Sequence, residues 1–318
     1  MRVSALARDD DADRLALFTT PRDWFRHAVS RFTAARLAYG HGTTNAVDEA
    51  AFIVLEGLAL PIDALDPFLD AKLLPRERLR LAELIDARVE TRKPAAYLLG
   101  RAYIQGVPFY VDERVIVPRS FIGELLLTGL VGDGAPIEAP EAAAAVLDLC
   151  TGGGSLAILA ARAFPNAAID AVDVSADALE VARRNVDEHG LADRITLRVG
   201  DLFGPLGAKR YDVILSNPPY VDAEALAAFP PEFAAEPRLA HAGGADGLDI
   251  VRRILARARD FLHADGALIC EIGRGRTRLE AEFPDLPLTW LDTAESEGEV
   301  FLLRAREWPR AAAKGKRR

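Results

Sequence analysis

The chain has little that would staple it covalently or bind a metal. Only two cysteines, Cys150 and Cys270, occur in 318 residues. So few thiols rule out a disulfide framework and fit a reducing cytoplasm, which is the expected location. The five histidines (His27, His41, His189, His241 and His263) are scattered. With two cysteines they form no ligand-spaced cluster, so no metal site is expected. No apolar run reaches about 18 residues, so neither a transmembrane helix nor a membrane partner is expected. The opening stretch, MRVSALARDDDADRLALF, runs straight into an acidic cluster. It lacks the apolar core and small-residue cleavage site of a secretory signal. Basic excess is missing too: 39 Lys and Arg stand against 48 Asp and Glu, a net charge of -9. Proteins that grip nucleic-acid backbones usually show a basic face, so direct DNA binding is not expected. The acidic balance serves solubility or steering toward a basic partner.

The length suits a large domain plus a small one. Residues from about 13 to 93 read as helical. Trp24, Phe25, Ala28, Val29 and Phe32 recur at helical spacing, and Asn45 is placed to cap a second helix holding Ala50, Ala51, Val54 and Leu55. A third amphipathic segment runs from Leu81 to Val89. Residues 1–93 therefore read as a helical recognition or stabilising domain. Over 94–118 the chain turns β-branched and aromatic, with Gly106 and Pro108 between two runs, which predicts a linking β-hairpin across 103–117. A main domain over 119–308 and a basic tail over 309–318 complete the division.

In the main domain the predicted strands are Ala145–Cys150, Ala168–Val174, Ile195–Asp201, Tyr211–Asn217, Gly266–Gly273, Leu288–Asp292 and Val300–Arg304. The first four alternate with helices such as Ser155–Ala163 and Ala176–His189, a doubly wound α/β pattern. Only a short loop separates the last two, which requires an antiparallel hairpin.

The first strand runs into Cys150-Thr151-Gly152-Gly153-Gly154-Ser155. Gly152, Gly154 and Ala157 fit G-x-G-x-x-A, where glycine lets the backbone turn sharply and approach a ligand. Asp173 ends the second strand at the spacing of an acid that reaches a ribose diol. Both a nicotinamide dinucleotide and S-adenosylmethionine (SAM) carry that adenosine, and the loop alone does not choose between them. Asp148, at the end of the first strand, orients the loop or meets the cofactor's amino group. Asp201 and Leu202, after the third strand, suit an adenine ring; the alternative for Asp201 is a turn cap.

Asn217-Pro218-Pro219-Tyr220 is the most specific signal. It follows an apolar strand, at the sheet edge where open α/β folds bind ligands. The prolines remove two backbone donors and fix φ, which leaves carbonyls as outward acceptors. A planar –NH2 group has two donors in one plane. The Asn217 side-chain oxygen and the Pro218 carbonyl match them, and Tyr220 offers an aromatic wall. That arrangement suits methyl transfer to an amide or amine nitrogen, because hydrogen bonds to its protons strengthen a poorly nucleophilic lone pair. A pure SAM binder has no need of Asn217, and an oxidoreductase would want a hydride-site His or Lys–Tyr pair that is not evident.

Together these residues resemble the class I methyltransferases, and more closely the HemK-type protein-glutamine methyltransferases. Val117-Pro118-Arg119-Ser120-Phe121-Ile122-Gly123-Glu124 and the stretch Glu236–Leu248 also look like family segments. The resemblance implies an α/β class I SAM-dependent fold: Rossmann-like, with a mostly parallel seven-stranded sheet, a terminal antiparallel hairpin and a small N-terminal helical domain. It implies SAM as cofactor, with contacts at Cys150, Thr151, Gly152, Gly153, Gly154, Asp173 and Leu202. Asn217 through Tyr220 then form the substrate clamp, with Asn217 also beside the cofactor. The form of the Pro118–Glu124 segment and the stretch Asp23–Asn45 look like the branch acting on large-subunit ribosomal protein three. The alternatives are the branch acting on release factors and, further off, a DNA amino-methyltransferase. Gly153 and Ser155 replace other small residues in the family pattern. His241 stands where an aliphatic residue is expected and reads as an exposed loop histidine, the alternative being a substrate contact.

Overall fold

The computed structural model describes residues 13–294 and 296–309. The basic tail from Arg310 onward lies outside the described residues. The chain divides into two units: residues 1–102 with Phe229–Ala235, and 103–228 with 236–318. Among the described residues, no helix is long and apolar enough to cross a membrane.

The first unit is helical. Helix α1 (Pro21–Ala34) starts at a reciprocal cap: Thr20 accepts from the Asp23 N–H, and the Asp23 carboxylate accepts from the Thr20 N–H. It buries Trp24, Ala28 and Phe32, one residue per turn. Phe25 and Val29 flank that stripe and are only partly buried. Asn45 caps α2 (Ala46–Gly57) by accepting from the N–H groups of Val47 and Asp48. Helix α3 (Pro75–Thr91) lays Leu81 and Ile85 against this core, and the short α4 (Ala95–Leu99) follows. Arg88 is wholly buried, its Nε 2.6 Å from Glu49. Its remaining donors reach the carbonyls of Ala38 and Arg92. A buried charge persists only when it is paired and hydrogen-bonded, and here each of the three guanidinium nitrogens has a partner. Residues 229–235 belong to this unit: Glu232 accepts from the Ala38 N–H and pairs with Arg92 at 2.5 Å.

A small hairpin of β1 (Ala102–Ile104) and β2 (Val107–Phe109) follows, all but its first residue belonging to the second unit. Gln105 and Gly106 both have positive φ, the turn that matches strand twist. The hairpin is much shorter than the span 103–117 suggested. Val111, Val115 and Val117 are buried without joining a strand, because Asp112 folds the backbone by accepting from the Arg114 N–H at 3.0 Å. The β-branched run packs into the core and makes no ladder.

After α5 (Phe121–Thr128) comes the alternating set: β3 (Ala145–Leu149), α6 (Ser155–Ala163), β4 (Ala168–Asp173), α7 (Ala176–Glu188), β5 (Ile195–Val199) and β6 (Tyr211–Ser216). Then follow α8 (Ala223–Ala227), α9 (Asp249–Arg257), β7 (Leu262–Glu271), α10 (Arg276–Glu282), β8 (Thr289–Leu291) and β9 (Val300–Arg304). Strand order is β5-β4-β3-β6-β7-β9-β8. The first five strands in that order are parallel, and β9 is antiparallel to both its neighbours. Strand β7 begins at Leu262, four residues before the expected Gly266. The register shifts between Tyr211↔Leu262 and Val213↔Ala267, a bulge closed where a Cβ on Gly266 would meet the Asp212 carbonyl at 2.9 Å.

Alternate residues of the central strands feed two cores. Val146, Val213, Leu215, Ala267 and Ile269 face one; Leu147, Leu149, Ile214, Leu268 and Phe301 face the other. A sheet buried on both faces explains the near-continuous apolar runs. Its register levels the strand ends. Leu149 pairs with both Val172 and Ser216, and Ser216 pairs with Cys270.

Candidate active site

That levelling places the glycine loop, Asp173 and the Asn-Pro-Pro-Tyr segment at the carboxyl ends of adjacent parallel strands. Leu149 and Ser216 are direct partners, so the residues after them start one strand spacing apart, about 4.8 Å. The Ser216 hydroxyl also donates to the Leu149 carbonyl at 3.0 Å, tying the two exits together.

Left-handed residues build the loop: Cys150, Gly152 and Gly154 all have positive φ. Cys150 pays the Cβ cost of that conformation. Gly152 donates its N–H to Asp173 Oδ2 at 2.8 Å, while Asp173 Oδ1 accepts from the Ser175 N–H at 2.9 Å. A Cβ on Gly152 would meet nothing within 4 Å, so the loop's outer surface is open to a ligand. Thr151 donates its hydroxyl to Asp148 Oδ2 at 2.5 Å. Asp148 is wholly buried, and burial pushes its carboxyl up to about 7 against the pull of the Thr151 hydroxyl. It thus sits behind the loop, bonded to it through Thr151. Burial, with Asp173 nearby, pushes the Cys150 thiol far above its ordinary range and keeps it neutral. Behind Gly153, the Asn185 side chain of α7 donates to its carbonyl at 2.8 Å and brackets both backbone groups of Tyr110.

Leu202 is left-handed and largely buried, its side chain in the apolar core. Asp201 is exposed and its carboxylate pairs with Arg253.

Asn217 donates its side-chain N–H to the Arg119 carbonyl at 3.4 Å. A carbonyl only accepts, so the amide's nitrogen must face it and the oxygen Oδ1 points elsewhere. Among the described residues no hydrogen bond reaches the Pro218 carbonyl or Asn217 Oδ1. Two acceptors of neighbouring residues are therefore presented without internal partners. Tyr220 donates its hydroxyl to Glu271 Oε1 at 3.2 Å. A Cβ on Gly273 would lie 2.7 Å from its ring, and one on Gly243 2.7 Å from its Cα. Only glycine at both positions lets the tyrosine sit this close.

Three neighbours complete the site: the sequence assigns no role to Glu271 and Glu236, and reads His241 as a loop residue. Glu271 ends β7 directly after the apolar run Ala267–Cys270; it accepts from the Ser120 hydroxyl at 2.7 Å and the Phe121 N–H at 3.0 Å. Glu236 accepts from both terminal nitrogens of Arg119, at 2.8 and 2.7 Å, and from the Val117 N–H at 2.9 Å. His241 is not the exposed loop histidine expected. It is buried, its Nε2 2.9 Å from Glu236, because its backbone pairs with Val221 and draws the ring inward.

Burial pushes the Glu271 carboxyl up to about 7 from an ordinary 4.5, against the pull of Ser120 and Tyr220. The folded protein therefore holds a proton there that the unfolded chain has released. That stabilisation is complete below the unfolded value and is lost as pH rises through about 7. Asp148 acts in the same sense. His27, pushed down to about 4 from 6.5 chiefly by burial, acts in the opposite sense below 6.5. Between pH 6.5 and about 8 the melting temperature of Glu271→Gln is expected to fall less steeply than that of the wild type. Parallel slopes in a thermal scan would contradict this.

The methyltransferase small domain model matches residues 133–230. The ribosomal protein uL3 glutamine methyltransferase of Bradyrhizobium diazoefficiens is 60% identical over 286 residues, covering 89% of this chain and 90% of its own. The protein of the same name from Bordetella pertussis is 60% identical over 285 residues, covering 89% and 94%. A solved methyltransferase from Pyrococcus furiosus is 16% identical, with a TM-score of 0.46, covering 71% of this chain and 98% of its own. The matched domain and the seven-stranded sheet with its antiparallel β7-β9-β8 end define a class I methyltransferase. Within that class, the chain belongs to the family of ribosomal protein uL3 glutamine methyltransferases.

Proposed function

We propose that the protein transfers the methyl group of SAM to the side-chain amide nitrogen of a glutamine in large-subunit ribosomal protein uL3. The observation that carries this is the fixed amide of Asn217, with its oxygen and the Pro218 carbonyl both unpartnered beside the glycine loop. SAM supplies an activated methyl group on a sulfonium. Cys150 through Gly154 would cradle it, Asp173 would accept from the ribose hydroxyls, and Leu202 would pack near the adenine. Asp148 acts behind the loop through Thr151. Asp201 would need to leave Arg253 to reach the base. The open face over Gly152 and the spare lone pairs of Asp173 fit such a group.

The chain's own residues handle the amide. Asn217 Oδ1 and the Pro218 carbonyl accept the two N–H bonds and hold the nitrogen's lone-pair face toward the donor. Tyr220 walls the flat amide group, and Pro219 stiffens the turn. As the nitrogen gains positive charge its N–H bonds become better donors, so both acceptors stabilise the transition state more than the ground state. Positioning supplies much of the rest, and the proton leaves after transfer.

The helical unit would recognise the protein substrate. The net charge of -9 suits a basic ribosomal partner in the cytoplasm. Incubation of the enzyme and labelled SAM with uL3, and separately with release factors, tests the partner. Label on uL3 is expected; label on release factors alone would show that the other branch is right.

A further inference from the structure

An asparagine amide clamps an –NH2 group only in one of its two flips. With Oδ1 toward the substrate it accepts; turned over, it sets donors against donors. The two flips have nearly the same shape, so packing does not choose between them. The choice comes from the Arg119 carbonyl, which accepts from the Asn217 N–H. What fixes that carbonyl therefore fixes the clamp.

We propose that Pro118–Phe121 is a brace that sets the productive orientation of Asn217, and that Glu236 and Glu271 are the positioning residues holding its two ends. At the first end, Glu236 takes the whole fork of Arg119 and the Val117 N–H, with His241 beside it. A bidentate pair fixes both the direction and the distance of a guanidinium. Glu236 is itself buried, so water reaches the pair only from the Arg119 side. At the second end, Glu271 Oε2 accepts from Ser120 and the Phe121 N–H, while its Oε1 accepts from Tyr220. One buried carboxylate thus links the brace to the aromatic wall. The four-residue brace touches the clamp at both ends: at Asn217 through the Arg119 carbonyl, and at Tyr220 through Glu271. Behind Tyr220, the segment carrying Glu236 and His241 closes on the clamp, since Val221 N–H donates to the His241 carbonyl at 2.9 Å and Gly243 N–H to the Val221 carbonyl at 2.9 Å.

The inference rests on Asn217 acting as the clamp. Its test is a double-mutant cycle on the full-length enzyme in single-turnover assays with saturating SAM and the protein substrate that accepts label. Glu236→Gln keeps the side chain's shape but loses the charge that grips Arg119. It is expected to slow methyl transfer by about tenfold to a hundredfold, with SAM affinity within about twofold of wild type. In the Asn217→Ala background the same change is expected to cost almost nothing, because its route to the reaction is gone. A purely structural Glu236 would lower SAM affinity along with rate and would add its full factor to Asn217→Ala; that result overturns the proposal. So does a Glu236→Gln enzyme of wild-type rate. If Glu236→Gln does not fold, Arg119→Lys, which keeps charge but loses the fork, enters the same cycle with the same expected outcomes. Wild-type turnover by Asn217→Ala would instead refute the clamp, a failure distinct from that of the brace.

Discussion

Asn217→Ala is expected to slow methyl transfer by about a hundredfold to a thousandfold while leaving SAM affinity almost unchanged. The size follows from removing one preorganised hydrogen-bonding group whose interaction grows as charge develops. The sparing of SAM follows from geometry: the loop's shape depends on Asp173, Thr151 and Asn185, none of which bonds to Asn217. The backbone should also survive, because the prolines and the Ser216–Leu149 bond keep the turn in place. The check is a pair of measurements on one preparation, single-turnover rate and SAM binding by calorimetry. A rate within a few fold of wild type would remove Asn217 from the chemistry.

Asp173→Ala is expected to give the opposite pattern, a loss of SAM binding. The carboxylate holds the Gly152 and Ser175 N–H groups at 2.8 and 2.9 Å and, under the proposed function, would also accept from a ribose hydroxyl. A hydrogen bond to a charged group contributes about 1.5–3 kcal/mol, so losing even one weakens binding by about tenfold to a hundredfold. Loss of the Gly152 anchor adds to this, because a left-handed glycine without its partner gains freedom that binding must remove. Titration of the variant with SAM, followed by intrinsic fluorescence or calorimetry, reads the effect. Unchanged affinity would show that Asp173 only shapes the turn.

The parts of this molecule that the sequence discloses are those with local signatures. Apolar runs bounded by turn residues mark β3, β4 and β6 to within a residue or two, because a strand covered on both faces is mostly apolar, its few buried acids, Asp148 and Asp170, being held by hydrogen bonds. The glycine loop and Asn217–Tyr220 stand out in the sequence because each is a run of consecutive residues directly after an apolar strand. The run from Val111 to Val117 misleads for the same reason: its β-branched residues have strand character, yet burial in the core satisfies them without a ladder. The brace is hidden for a different reason. Arg119 meets Glu236 across 117 positions and Ser120 meets Glu271 across 151. No local period marks such pairs, and an acid directly after an apolar run, as at Glu271 after Ala267–Cys270, is the trace they leave. His241 follows suit: an imidazole in a polar loop reads as exposed until Glu236 is known to lie beneath it.

The central claim is methyl transfer to a glutamine side-chain amide. Its most direct test is fragmentation mass spectrometry of uL3 after incubation with the enzyme and SAM. One methyl group located on the side-chain nitrogen of a single glutamine is the expected result. A methyl on lysine, arginine or a carboxylate, or none on uL3 under conditions where the enzyme binds SAM, would contradict it.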